Sequence, residues 1–103
     1  MGDRKKNMAV INKFTNLYTD KFRKPLIINR NHAQWEAENL INSFGYDTTI
    51  SIIDYYFSYV ESPAWKQFVY QADKIYASME AQREDREFRA EMRKKAKEWL
   101  ENE

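Results

Sequence analysis

Between Asn7 and Phe22 the apolar residues Val10, Ile11, Phe14, Leu17, Tyr18 and Phe22 recur at steps of mostly three and four, which is one face of an amphipathic helix. Pro25 ends it, because the residue before a proline is driven out of the α region. Leu26-Ile27-Ile28-Asn29 reads as an extended connector that drops apolar side chains into the core. A second helix starts at Asn29 or Asn31, either of which can cap free backbone amides. Its apolar side holds Trp35, Ala37, Leu40, Ile41 and Phe44, and Gly45 stands where a left-handed C-terminal cap belongs. Asp47 or Thr48 would cap a third helix, with Ile50, Ile53, Phe57 and Val60 in one stripe. Ile52, Tyr55, Tyr56 and Tyr59 widen that stripe until most of the helix must be covered, which places it at the centre of the core.

Ser62-Pro63 signals a restart, with serine at the cap and proline at the first helical position, where its missing N–H costs nothing. Trp65, Phe68, Val69, Ala72, Ile75, Tyr76 and Met79 follow at helical spacing. From Glu80 the chain turns abruptly polar, without glycine or proline. Its charges fall four apart: Arg83 with Glu87, Asp85 with Arg89, Glu91 with Lys95, Lys94 with Glu98, Lys97 with Glu101. Each such pair adds about 0.2–0.5 kcal/mol to a helix. An unbroken helix from Pro63 to Leu100 would reach roughly 57 Å at 1.5 Å per residue and project beyond the domain. The prediction is an all-α chain: a compact bundle of four to five helices with a long, charged C-terminal helix. Residues 1–79 form the helical core with a basic N-terminal arm, and residues 80–103 form a charged extension for oligomer or partner contact.

Composition agrees with that outline. A chain of 103 residues is one domain on length, and with 43% hydrophobic residues it belongs among globular proteins. Two glycines and two prolines are too few for the turns of an all-β fold. Cysteine is absent, which excludes disulfides, thiolate catalysis and cysteine-based zinc sites and fits a reducing compartment. No apolar run nears the roughly 20 residues that span a bilayer, and the start MGDRKKNMAVI has no signal-peptide pattern. The expectation is a cytoplasmic protein with no membrane contact and no cofactor.

The net charge of +1 hides segregation. Residues 1–30 carry eight basic side chains (Arg4, Lys5, Lys6, Lys13, Lys21, Arg23, Lys24, Arg30) against Asp3 and Asp20. Residues 31–62 carry no Lys or Arg but Glu36, Glu38, Asp47, Asp54 and Glu61. Basic side chains neutralise phosphates and release counterions, giving affinity for nucleic acid without sequence preference. In that reading Arg4-Lys5-Lys6 is a mobile arm, and Lys21, Arg23, Lys24 and Arg30 gather where the first helix hands over to the second. The alternatives are a solubilising face, or docking on the acidic middle of a neighbouring copy.

Chemistry beyond binding has little to work with. His32 is the only histidine and stands among capping asparagines; Glu36 and Glu38 point apart on a helix; Glu84, Glu87 and Glu91 are interleaved with basic residues that neutralise them. The chain is therefore not expected to be an enzyme. Of the aromatic residues, Trp65 followed by Lys66 on a first helical turn is the best placed to stack on an unpaired base. Phe88, Met92 and Trp99, with Ala96 between, share one face of the charged tail and should pack: back on helix one, on another subunit, or in a partner's groove.

The run from Lys13 to Tyr76, KFTNLYTDKFRKPLIINRNHAQWEAENLINSFGYDTTISIIDYYFSYVESPAWKQFVYQADKIY, resembles small helical modules of phage replisome-organiser and helicase-loader proteins. Through them it is distantly similar to the C-terminal domain of primosomal DnaD/DnaT-like proteins. The likeness lies in order: a helix ending in an aromatic-plus-basic segment, a Trp-bearing helix, a Phe-Gly-Tyr turn, a Tyr-rich helix, then a Trp-Lys helix. Of the family's Tyr-x-x-x-Ile-x-x-x-Trp pattern, Tyr46 and Ile50 are present and Asp54 stands in the tryptophan's place. The resemblance implies a free-standing accessory protein of phage DNA replication or recombination. It would bind single-stranded or junction DNA through Arg4, Lys5, Lys6, Lys13, Lys21, Arg23, Lys24, Arg30, Trp65 and Lys66. Phe88, Met92 and Trp99 would contact a helicase, a polymerase or another copy in a homo-oligomer. The alternative is a protein-only adaptor or inhibitor that seizes a host or phage enzyme through the acidic segment and the C-terminal helix.

Overall fold

The structure is a computed structural model that describes residues 4–101; the outermost residues of the arm and of the extension, 1–3 and 102–103, lie outside the described residues. The described chain is all-helical: α1 (Arg4–Phe22), α2 (Arg30–Phe44), α3 (Tyr46–Tyr59) and α4 (Trp65–Glu101). The expected basic arm is instead the first turns of α1, continuous with the rest of that helix. Nothing in RKKNMAVI breaks a helix, and lysine and arginine are good helix formers.

α2 runs antiparallel to α1, since Arg30 reaches Asn12 while Gln34 reaches back to Met8. α3 runs parallel to α1, with Lys13 at Asp54 and Lys21 at Val60. α4 returns antiparallel along α3, from Tyr56 beside Ala64 and Gln67 to a shallow cleft shared by Asp47, Ser51, Met79 and Arg83. Phe14 sits at the meeting point of α1, α3 and α4, fully buried. Its ring lies 4.8 Å from Phe57, 5.2 Å from Trp65, 5.4 Å from Phe68 and 6.1 Å from Tyr56. Val10, Ile11, Ile52, Ile53, Ala72 and Ile75 fill the space around these rings.

The joints follow local chemistry. Asn29 caps α2, its side-chain oxygen accepting from the amides of Asn31 and His32 at 3.1 and 3.2 Å. Leu26 and Ile28 pack on the core while Ile27 between them stands in solvent, the alternation of an extended connector. Gly45 alone joins α2 to α3, at φ +86° and ψ +159°. That is a region reserved for glycine, distinct from the left-handed cap anticipated for it. α3 consequently begins at Tyr46 with no side-chain cap from Asp47 or Thr48. Thr49, fully buried, turns its hydroxyl back to the Gly45 carbonyl at 2.7 Å.

The restart at Ser62-Pro63 falls two residues later than expected. Pro63 is buried outside the helix, and the Tyr56 phenol, from α3, does the capping: it accepts from the Ala64 amide at 3.2 Å. The Ala64 carbonyl then accepts the first helical bond from Phe68 at 2.9 Å. α4 continues for 37 residues, about 55 Å at 1.5 Å per residue. The protein therefore measures 64 × 34 × 21 Å, with a radius of gyration of 17.8 Å against about 13 Å for a compact chain of this length.

Candidate interaction surfaces

The basic side chains of the first thirty residues do not converge. Lys13 is neutralised by Asp54 of α3, 3.0 Å away. Lys21 donates to the Val60 carbonyl at the far end of α3, at 2.6 Å. Arg30 turns to Asn12, nine residues up α1 from Lys21 and so about 13 Å along the helix. Arg4, Lys5 and Lys6 occupy the opposite end of α1, and both lysines have partners of their own. What remains together is Lys21, Arg23 and Lys24, exposed where α1 stops. Arg23 holds the left-handed turn there at φ +58°, its amide bonded to the Thr19 carbonyl at 2.8 Å.

Trp65, expected to be exposed for stacking, is a core residue with 3% of its surface accessible. Its indole N–H donates to Glu36 at 3.1 Å, which satisfies the one polar atom that burial would otherwise strand. Steps of three, four and three join Trp65 to the buried Phe68, Ala72 and Ile75, so its burial was written in the spacing. Lys66 alone of that pair is exposed.

Trp35 makes the reverse correction. It was expected on the apolar side of α2 and is 61% exposed. The buried residues of α2 are Ala33, Ala37 and Leu40, and Trp35 lies half a turn round from them. Two buried alanines four apart were the available signal. Trp35 stands beside His32, ring centres 6.1 Å apart, and His32 faces Glu36 at 3.9 Å. Next to them Ile27, Ile28, Asn29, His32, Glu36, Trp65 and Lys66 line a groove of about 480 Å³. Glu36 is already held by the Trp65 indole and by His32, so the groove offers the Lys66 ammonium rather than a proton-transfer pair.

Three phenols crowd the end of α3, with Tyr55 and Tyr59 5.1 Å apart and Tyr56 and Tyr59 6.2 Å apart. Burial, reinforced by repulsion from Tyr55 and Tyr56, pushes the Tyr59 phenol above its ordinary value.

The outer half of α4 leaves the bundle, with Arg83 and Arg86 near its start beside Asp47, Ser51 and Tyr55 of α3. Every residue from Ala81 to Glu101 is exposed. Phe88 is 62%, Met92 50% and Trp99 65% accessible, so of the three ways this face was expected to pack, folding back on helix one does not occur. The reason is geometric: the core grips α4 through Trp65, Phe68, Ala72 and Ile75, and Phe88, Met92 and Trp99 lie on the opposite side of a helix with no glycine or proline to bend it. Asp85 to Arg89 at 3.1 Å and Glu91 to Lys95 at 3.4 Å form as anticipated, whereas Arg83 turns to Glu80 at 2.8 Å. Among the described residues no helix is long and apolar enough to cross a membrane. No protein-family model, no curated protein and no solved structure matches this chain.

Proposed function

We propose that this protein is a helical binding module whose docking surface is the outward face of α4. The observation that carries this reading is the row of Phe88, Met92 and Trp99, each at least half exposed on a helix that the core holds only at its other end. Leaving such side chains in water costs about 1.5–3 kcal/mol each relative to burial. Exposed apolar rows rimmed by charge mark interaction sites, and a straight amphipathic helix is the form in which such a row enters a partner's groove. Phe88→Ala with Trp99→Ala is expected to abolish capture of the protein's partner from native cells while circular dichroism and the thermal midpoint stay unchanged. Capture at the wild-type level by that variant removes the reading.

The second reading is the nucleic-acid accessory implied by the likeness to phage replication modules, and it rests on Lys21, Arg23 and Lys24 at the end of α1. Under it, replacing these three and Arg30 by glutamate eliminates binding to single-stranded DNA at about 50 mM salt, and wild-type affinity falls steeply as salt rises. Absence of wild-type binding at that salt disposes of it.

A further inference from the structure

The outward face of α4 is self-complementary in one orientation. Ala81, Asp85, Phe88, Met92, Lys95 and Trp99 follow one another at steps of four, three, four, three and four, the spacing of a seam between two paired helices. All six are exposed, on the side of α4 turned away from the core. Read forward, the seam runs small, acidic, aromatic, thioether, basic, large; read backward, each position meets its complement.

We infer that this seam pairs with the same seam of a second copy, antiparallel and centred near residue 90. The inference rests on the reading of this face as a docking surface and names its occupant. In that register Ala81 receives the partner's Trp99, Asp85 faces the partner's Lys95, and Phe88 packs on the partner's Met92, each contact occurring twice about the two-fold axis. A parallel pair would instead set Asp85 on Asp85 and Lys95 on Lys95 inside the seam, where like charges repel at short range. The antiparallel pair does bring the flank of Glu84, Glu91 and Glu98 against its own copy. Those carboxylates stay at the wet rim, where salt screens them.

The bodies do not obstruct this arrangement. Each core grips its own α4 through Trp65, Phe68, Ala72 and Ile75, on the side of the helix away from the seam. Two phenylalanines and two tryptophans supply several hundred Å² of the contact, which belongs to the small, reversible class below about 1,200 Å².

Sedimentation equilibrium of the full chain tests the inference. The average mass is expected to rise from that of one chain toward twice it between about 1 μM and about 1 mM. Asp85→Lys alone and Lys95→Asp alone should each weaken the dimer by about tenfold or more, and the two together should restore it, because only the antiparallel register exchanges one charge for the other. The chain has no cysteine, so orientation can be read separately. Ala81→Cys alone should give no disulfide dimer under oxidation, since the two copies of residue 81 stand at opposite ends of the seam.

A single-chain mass throughout overturns the inference. So does a dimer indifferent to the single charge reversals, or one that Ala81→Cys locks efficiently. These substitutions all lie at exposed positions, and a thermal midpoint unchanged at about 1 μM, where the chain is single and dimerisation adds no stability, certifies each variant. The wider reading fails on a different measurement: a single-chain mass accompanied by loss of partner capture in Phe88→Ala with Trp99→Ala leaves the docking face standing with another occupant.

Discussion

Phe14→Ala is expected to remove about 3–5 kcal/mol of folding stability, the usual toll for emptying a phenylalanine site in a packed core. The total available to a domain of this size is about 5–15 kcal/mol, so the variant should stand near its unfolding threshold at room temperature. Four rings surround Phe14 at 4.8–6.1 Å and come from α3 and α4. The cavity left behind therefore has walls on several helices, and none can close it alone. Urea unfolding followed by circular dichroism measures the loss as a fall in midpoint with an unchanged slope. Phe14→Leu, which retains most of the volume, should lose less than half as much. A loss below about 1.5 kcal/mol for alanine would mean that the helices meet elsewhere.

The second large effect is expected at Gly45. An alanine Cβ there meets nothing within 4 Å, so no clash contributes and the whole cost is backbone conformation. At φ +86° and ψ +159° that cost is about 1–3 kcal/mol. Gly45→Asn discriminates between conformations: asparagine is tolerated in an ordinary left-handed cap but gains nothing in this region. The two substitutions should therefore destabilise by similar amounts in thermal melts. An asparagine variant close to wild type would place the joint in the left-handed helical region instead.

Most of the fold was legible because each helix carries its own punctuation: Asn29 before α2, the single residue Gly45 after it, Pro63 before α4. The core of α4 was legible from its steps of three and four. What the pattern did not yield was the ownership of particular rings. Trp35 and Trp65 each sit in an apolar-looking stretch, yet one faces water and the other the core. The difference depends on small neighbours, since α2 turns the alanines at 33 and 37 inward and leaves Trp35, half a turn round, outside. Nor does periodicity show that a phenol from α3 would cap α4, because that bond joins residues eight apart across a turn.

The candidate site divides in the same way. Phe88, Met92 and Trp99 stood out because their surroundings are so polar, and they are among the large apolar residues that the fold leaves open. The charge count over the first thirty residues was accurate, but a linear count carries no geometry. α1 distributes those side chains along its whole length, and α3 supplies Asp54 opposite Lys13.

One backbone ladder runs from Trp65, locked among the core rings, to Glu101 with no glycine, proline or loop between. Occupancy of the far end and integrity of the near end are therefore thermodynamically linked. Whatever clasps residues 81–99 in their helical form also favours the helix that carries Trp65 and Phe68. A ligand that binds only the folded chain, present at a hundred times its dissociation constant, would add about 2.7 kcal/mol to the stability of the whole domain. The partner would then act as a cofactor of folding as well as a cargo.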